Sequence, residues 1–198
     1  MLERFQPGYD DAFARRRARS CDATPTTETQ MTTATDTYDR FASTAAEYGV
    51  ELTRTEASDA TAAIDSLVDE PAVGAALPWD GIALPERVTT DPTPGELDAA
   101  TTGVTAASLA IADYGSLVLE ATPEGAEPAS LFPDRHVVVL REDDLVPDME
   151  TAFEWFGERF RETRGSAIVA TGPSATADMG SLVKGAHGPK EVRVVVVA

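Results

Sequence analysis

Cysteine is almost missing from this chain, with Cys21 standing alone. One thiol closes no internal disulfide, and it supplies only one of the about four thiolates an iron-sulfur cluster needs, so the chain by itself builds neither. Lysine is nearly as scarce: Lys184 and Lys190 are the only two among 16 basic residues. Those 16 face 34 acidic residues, a formal net charge of -18 that repels phosphate backbones and anionic membrane surfaces. No run approaches the ~18 apolar residues of a membrane helix. The two histidines, His136 and His187, have no further histidine or cysteine at metal-ligand spacing, which leaves no candidate metal site. A Gly-x-Gly-x-x-Gly dinucleotide fingerprint is absent as well, since "GVTAAS" offers one glycine where three are needed.

What is present is a chain of 198 residues, 42 % of them apolar, long enough to bury a real core. The acidity is spread over nearly every expected helix and loop, as in proteins of salt-loving microbes whose carboxylate-rich surfaces stay hydrated in concentrated salt. Residues 1–30 differ from the rest, balancing five arginines against five acidic residues where the remainder is strongly acidic. This shift predicts a mobile extension over residues 1–34 and one folded domain over 35–198, with Met31 of "MTTATDTYDRF" as the native start or the start of the folded part. Arg15, Arg16, Arg17 and Arg19 look like the head of a signal peptide, but a polar stretch follows them. The expected location is therefore the cytoplasm.

The periodicity of the remainder alternates between helices and apolar strands. "TYDRFASTAAEYGV" places Tyr38, Phe41, Ala45 and Tyr48 on one helical face, with Asp36 as N-cap and Gly49 as the stop. "ASDATAAIDSLVDE" reads as a second helix, capped by Ser58 and turning Ala63, Ile64 and Leu67 inward, before Pro71 breaks it. "VELTRT", "AVGAALP", "GSLVLEA", "HVVVL", "SAIVATG" and "VRVVVV" read as strands. Between them, "AATTGVTAA" is extended and leads into a short helix, so that "ADYG" joins a helix to a strand; residues 121–135 read as irregular. "VPDMETAFEWFGERFRET" predicts a helix with Pro147 at its start, burying Met149, Phe153, Phe156 and Phe160. Apolar runs parted by helices indicate an α/β domain: a three-layer α/β/α sandwich around a mainly parallel sheet.

In such sheets ligands sit beyond the carboxyl ends of the strands, which directs attention to "TGPSATAD", "GAHGP" and "ADYGS". In the first, Gly172 permits a tight turn, Pro173 stiffens it, and Ser174 can cap a helix whose free N–H groups would welcome a carboxylate or phosphate. The structural alternative is that Ser174 only caps and Asp178 only complements the dipole. His187, between Gly185 and Gly188, can donate to an anion or shuttle protons near neutral pH, or it can simply bond a nearby carbonyl. His136 reads as an edge residue at a strand start. Ser174, His187 and Asp178 have the residue types of a hydrolase triad, but Ser174 has no Gly-x-Ser-x-Gly elbow and Asp178 shares its short segment. Lys184 is either a partner for an anion in this pocket or a cation near a helix end; the latter is expected. The candidate site is thus Asp178 and His187 as acid/base groups, with Gly172, Ser174, Thr176, Gly115, Ser116 and Gly188 as ligand-binding positions.

Taken together, "TTGVTAASLAIADYGSLVL", "LFPDRHVVVLREDDLVP" and "ATGPSATADMGSLVKGAHGPKEVRVVVV" make the C-terminal half resemble the lactate-utilization protein C family, the LUD-domain proteins. The resemblance implies a fold like that of the sugar-phosphate isomerase and coenzyme A transferase superfamily. It also implies a non-metal subunit that works beside iron-sulfur partner subunits in oxidising L-lactate to pyruvate, with a small carboxylate as ligand. The sequence departs from the family's pattern at Tyr114, where Thr or Ser usually precedes the glycine, and at Gly180, where an acidic residue is common. Two other classes stay open: a free-standing enzyme of the same fold acting on an acyl, phosphorylated or folate-type ligand, and a ligand-sensing or scaffold protein without chemistry.

Overall fold

The computed structural model describes residues 34–176 and 182–198. The expected extension lies outside them except for its last residue, as do Asp178 and Gly180. The chain runs through α1 (Ala34–Glu47), β1 (Glu51–Thr55), α2 (Ala60–Leu67), β2 (Ala72–Gly74), β3 (Val88–Thr90), α3 (Pro94–Ala99), β4 (Thr102–Ala106), β5 (Leu109–Ile111) and β6 (Ser116–Glu120). It continues through α4 (Ala126–Leu131), β7 (Arg135–Arg141), β8 (Leu145–Val146), α5 (Met149–Thr163), β9 (Ala167–Thr171), β10 (Ala175–Thr176), β11 (Val183–Lys184) and β12 (Glu191–Val197).

Six strands form the central sheet in the order β1, β12, β7, β4, β2, β3, each neighbouring pair parallel. Its inner strands are the β-branched runs of the sequence, and they lack polar alternation because both faces are covered. Val138, Leu140, Val194 and Val196 pack on one face with Phe41 and Ala45 of α1. Val137, Val139, Val195 and Val197 pack on the other with Ala60 and Ile64 of α2. The result is an α/β/α arrangement around a parallel sheet.

A smaller sheet, β8, β5, β6, β9, lies against the first face. The chain first passes from the central sheet to the smaller one between β4 and β5, where Ala107 N–H donates to Val139 C=O at 2.8 Å and Ser108 N–H to Val118 C=O at 2.9 Å. Here the structure corrects the sequence reading. The segment expected as a short helix after β4 is β5, and "ADYG" closes an antiparallel hairpin with β6; pairing with an apolar neighbour overrides the helical preference of its alanines. "GSLVLEA" and "SAIVATG" are strands as expected, but they belong to this antiparallel sheet.

Other corrections are local. α3 was not anticipated, although Thr93 and Glu96 form a reciprocal capping box with Pro94 at the first helical position. α4 replaces part of the expected irregular excursion. Gly103 makes room for it, since an added Cβ would collide with the Ala129 carbonyl. Asp36 lies inside the first turn of α1, and no side chain caps α2 or the helical turn before it. α5 is capped by Asp148, whose carboxylate accepts from Thr151 N–H at 2.8 Å. Phe153 on α5 is not buried but 66 % exposed, because α5 spans a four-stranded sheet too narrow to cover all its aromatic rings.

Candidate functional site

Two turns converge on one cavity of about 470 Å³. The first leaves β9 at Thr171 and passes through Gly172, whose φ of +65° suits glycine; a Cβ there would lie 2.8 Å from that of Tyr48. The second runs from Gly185 to Pro189. Main-chain bonds tie them together: Ser174 N–H to Pro189 C=O and Gly185 N–H to Ser174 C=O, both 2.9 Å. Gly188 keeps the contact close, since a Cβ on it would come within 3.0 Å of Ser174 Cβ. The turns open into a short hairpin in which Ala175 faces Lys184 and Thr176 faces Val183.

That hairpin corrects the helix expected to follow Ser174. The main chain of Ser174 bonds across to the second turn instead of along the chain, so Ser174 caps no helix at this point, and Lys184 sits on a strand instead of near a helix end. Ser174 and His187 share the cavity wall without a hydrogen bond between them, so these two are not paired as nucleophile and base. Anion donors remain nonetheless. The N–H groups of Gly172, His187 and Gly188 make no bond to another described residue, and grouped main-chain N–H groups suit a carboxylate.

The floor of the cavity holds the histidine that was read as an edge residue. β7 is an inner strand between β12 and β4, so His136 is 3 % exposed. Its Nε2 lies 2.8 Å from Thr105 Oγ1 on β4. Burial holds its pKa down at about 4, so the ring is neutral at physiological pH. The neighbouring β4 position opposite His136 is Gly103; α4 therefore packs closely there and brings Ser130 and Leu131 to the wall.

The structure thus gathers Gly172, Ser174, His187 and Gly188 around one cavity. Gly115, Ser116 and Thr176 do not line it. Gly115 packs on α1, where a Cβ would lie 2.7 Å from Ala45 N. Ser116 is buried behind the wall, its hydroxyl paired with that of Thr171 at 2.7 Å. Sequence reasoning missed His136, Thr105 and Tyr48; the available signal was a lone histidine opening a run too apolar for an edge. Among the described residues no His, Cys, Asp and Glu cluster could hold a metal, and no lysine, arginine, aspartate or glutamate lines this cavity.

The cavity's position also differs from expectation, since it lies at the amino ends of β7 and β12, where His136 and Val192 enter the sheet. The carboxyl-end rule applies to turns that follow strands of the parallel sheet, whereas "TGPSAT" follows β9 of the smaller one. A second cavity of about 370 Å³ does lie at the carboxyl ends of β2 and β4. There Arg159 donates to Glu120 through Nε and Nη2 at 2.8 and 3.1 Å, and Ser108 donates to the same carboxylate at 2.8 Å. A broader groove of about 820 Å³ beside α3 is lined by none of the candidate site residues.

Comparison with known proteins now carries the site into a family. The LUD-domain family model matches residues 91–197, which include β4 through β12 and both turns. The chain belongs to the LUD-domain family. A curated Deinococcus radiodurans protein called lactate utilization protein C is 31 % identical over 76 % of this chain and 74 % of its own length. A Bacillus velezensis protein of the same name is 30 % identical over 50 % of the chain, but the match spans only 42 % of that relative. In fold, this LUD domain is similar to a crystal structure of a DUF162 family protein from Deinococcus radiodurans, with a TM-score of 0.66 and 23 % identity over 84 % of this chain and 99 % of the other.

Proposed function

We propose that this LUD domain is the non-metal subunit of an iron-sulfur-dependent system that oxidises L-lactate to pyruvate, working in the cytoplasm. The observation that carries this reading is the cavity between the two glycine-proline turns, in a chain similar to proteins called lactate utilization protein C. The N–H groups of Gly172, His187 and Gly188 hold the carboxylate of a small acid, and His187 at the rim relays a proton. Asp178, outside the described residues, is the second acid/base candidate because it follows the same turn in sequence. Oxidation of lactate to pyruvate releases two electrons and two protons; clusters on a partner subunit would accept the electrons, because Cys21 alone builds none. No described helix is long and apolar enough to cross a membrane.

The test is an affinity pull-down of the tagged protein from its host at native salt, followed by lactate-dependent dye reduction by the eluate and by the chain alone. Activity only with a co-purified iron-sulfur protein supports the subunit role; no partner and no lactate activity overturns it. His187→Ala and Asp178→Ala should leave folding nearly intact and impair growth on lactate. Wild-type growth with both replaced would remove these residues from the site. A second reading is a free-standing enzyme that uses the same cavity, whose described lining residues include His136 and His187. Turnover of an acyl, phosphorylated or folate-type compound by the isolated chain would establish that free-standing enzyme instead.

A further inference from the structure

The cavity as a whole is larger than lactate requires, and much of its lining away from the turns is apolar. Leu117, Leu119, Leu131, Ile168, Ala170 and Val192 wall this rear part. Lactate has six non-hydrogen atoms, whereas about 470 Å³ equals the liquid volume of roughly 15 waters at ~30 Å³ each. A three-carbon acid held at the turns would therefore leave water standing against leucine and isoleucine. Each methylene that displaces such water should tighten binding about fourfold.

His136 adds a polar point to this apolar chamber. Every fully enclosed side-chain nitrogen and oxygen among the described residues has a partner. His136 Nε2 has Thr105, while Nδ1 has none among the described residues, so Nδ1 opens onto the cavity that the ring lines. A ligand hydroxyl is the group that would complete it, since a neutral imidazole nitrogen exchanges one hydrogen bond with an alcohol in either tautomer.

Resting on the small-carboxylate reading above, we infer that the site takes a 2-hydroxy acid whose apolar side chain is larger than lactate's methyl group. The carboxylate lies on the turn N–H groups, the side chain fills the rear, and the hydroxyl bonds His136. His136 is in this view a substrate-reading residue, and Ile168 and Leu131 set the accepted length.

The experiment is titration calorimetry on the full chain at native salt with three series of three to eight carbons: straight-chain 2-hydroxy acids, the alkanoates lacking the hydroxyl, and the 2-alkanols lacking the carboxylate. Affinity for the hydroxy acids should rise about fourfold per methylene until the rear is full, on the order of 50-fold from three carbons to six. The alkanoates should bind several-fold more weakly, a gap that disappears in His136→Leu. Ile168→Trp should abolish the gain in affinity with chain length. Equal affinity along the hydroxy-acid series overturns the inference and leaves the small-carboxylate reading intact. Alkanols that match the hydroxy acids keep the apolar rear but overturn the carboxylate reading, and failure of all three series to bind overturns both. If His136→Leu does not fold, the wild-type length series and Ile168→Trp still decide the matter.

Discussion

The two sheets of this protein are built to different standards. In the central sheet Val137, Val138, Val139, Leu140, Val194 and Val195 are wholly buried between helical layers. In the smaller sheet Val169 is 45 % exposed, and Phe153 on the helix that covers it is 66 % exposed. A parallel sheet covered on both faces leaves no register in which a valine can escape. The four-stranded sheet, backed by a single helix, has a well-packed middle at Ile111 and Val118 and a loose border at β9. The cavity lies where the two meet, with His136 on the rigid side and Ile168 and Gly172 on the looser one. The scaffold holds the polar reader fixed, while the border can yield to a ligand.

The largest effect that would sharpen this contrast is Leu140→Ala, which removes one of the largest wholly buried side chains. It should cost about 2–5 kcal/mol in denaturant unfolding. A loss well under 1 kcal/mol would mean the central sheet is not the rigid half. Gly103→Ala should cost about 1–3 kcal/mol, because the new Cβ meets the Ala129 carbonyl and must push α4 from the sheet; it should also weaken ligand binding through the cavity wall.

Acid tests the same rigid side. His136 is held neutral by burial, with its folded pKa lowered to about 4. The unfolded chain therefore takes up the proton first, and this contribution is fully present above the unfolded value near 6.5 and lost as pH falls toward 4. Between pH 7 and pH 5 wild type should lose about 2 kcal/mol more than His136→Leu, measured by paired denaturation curves; parallel curves would place the imidazole in water. The smallest expected effect is Phe153→Ala, within about 0.5 kcal/mol of wild type. A larger loss would show that the border of the smaller sheet packs more tightly than its exposure implies.

The middle of the central sheet was legible because β7 and β12 are long, β-branched and unmixed, a pattern that two-sided burial produces, whereas β3, three residues long, was not anticipated. β5 was not, since Leu109, Ala110 and Ile111 are three residues with no period of their own, and their partner strand decides their conformation. α3 carried a readable signal in Thr93, Pro94 and Glu96, overlooked because its helix is a turn and a half long. In the site, the glycine-proline turns were visible as turns, and Gly172, Ser174, His187 and Gly188 do meet. Gly115 and Ser116 shared the composition of a ligand loop but serve packing on α1 and a hydroxyl pair with Thr171; glycine and serine look alike in either role until a neighbour is known.

By itself the sequence determined the layered α/β class and the two turns, because periodicity and turn chemistry are local properties. The tertiary structure alone decided that the chain first leaves the central sheet at Ala107 and Ser108, that the turns sit at the amino ends of β7 and β12, and that His136 lies buried at their floor. Those outcomes depend on which strands become neighbours. Strand order is set by packing between segments far apart in sequence, such as Gly103 with Ala129 and His136 with Thr105.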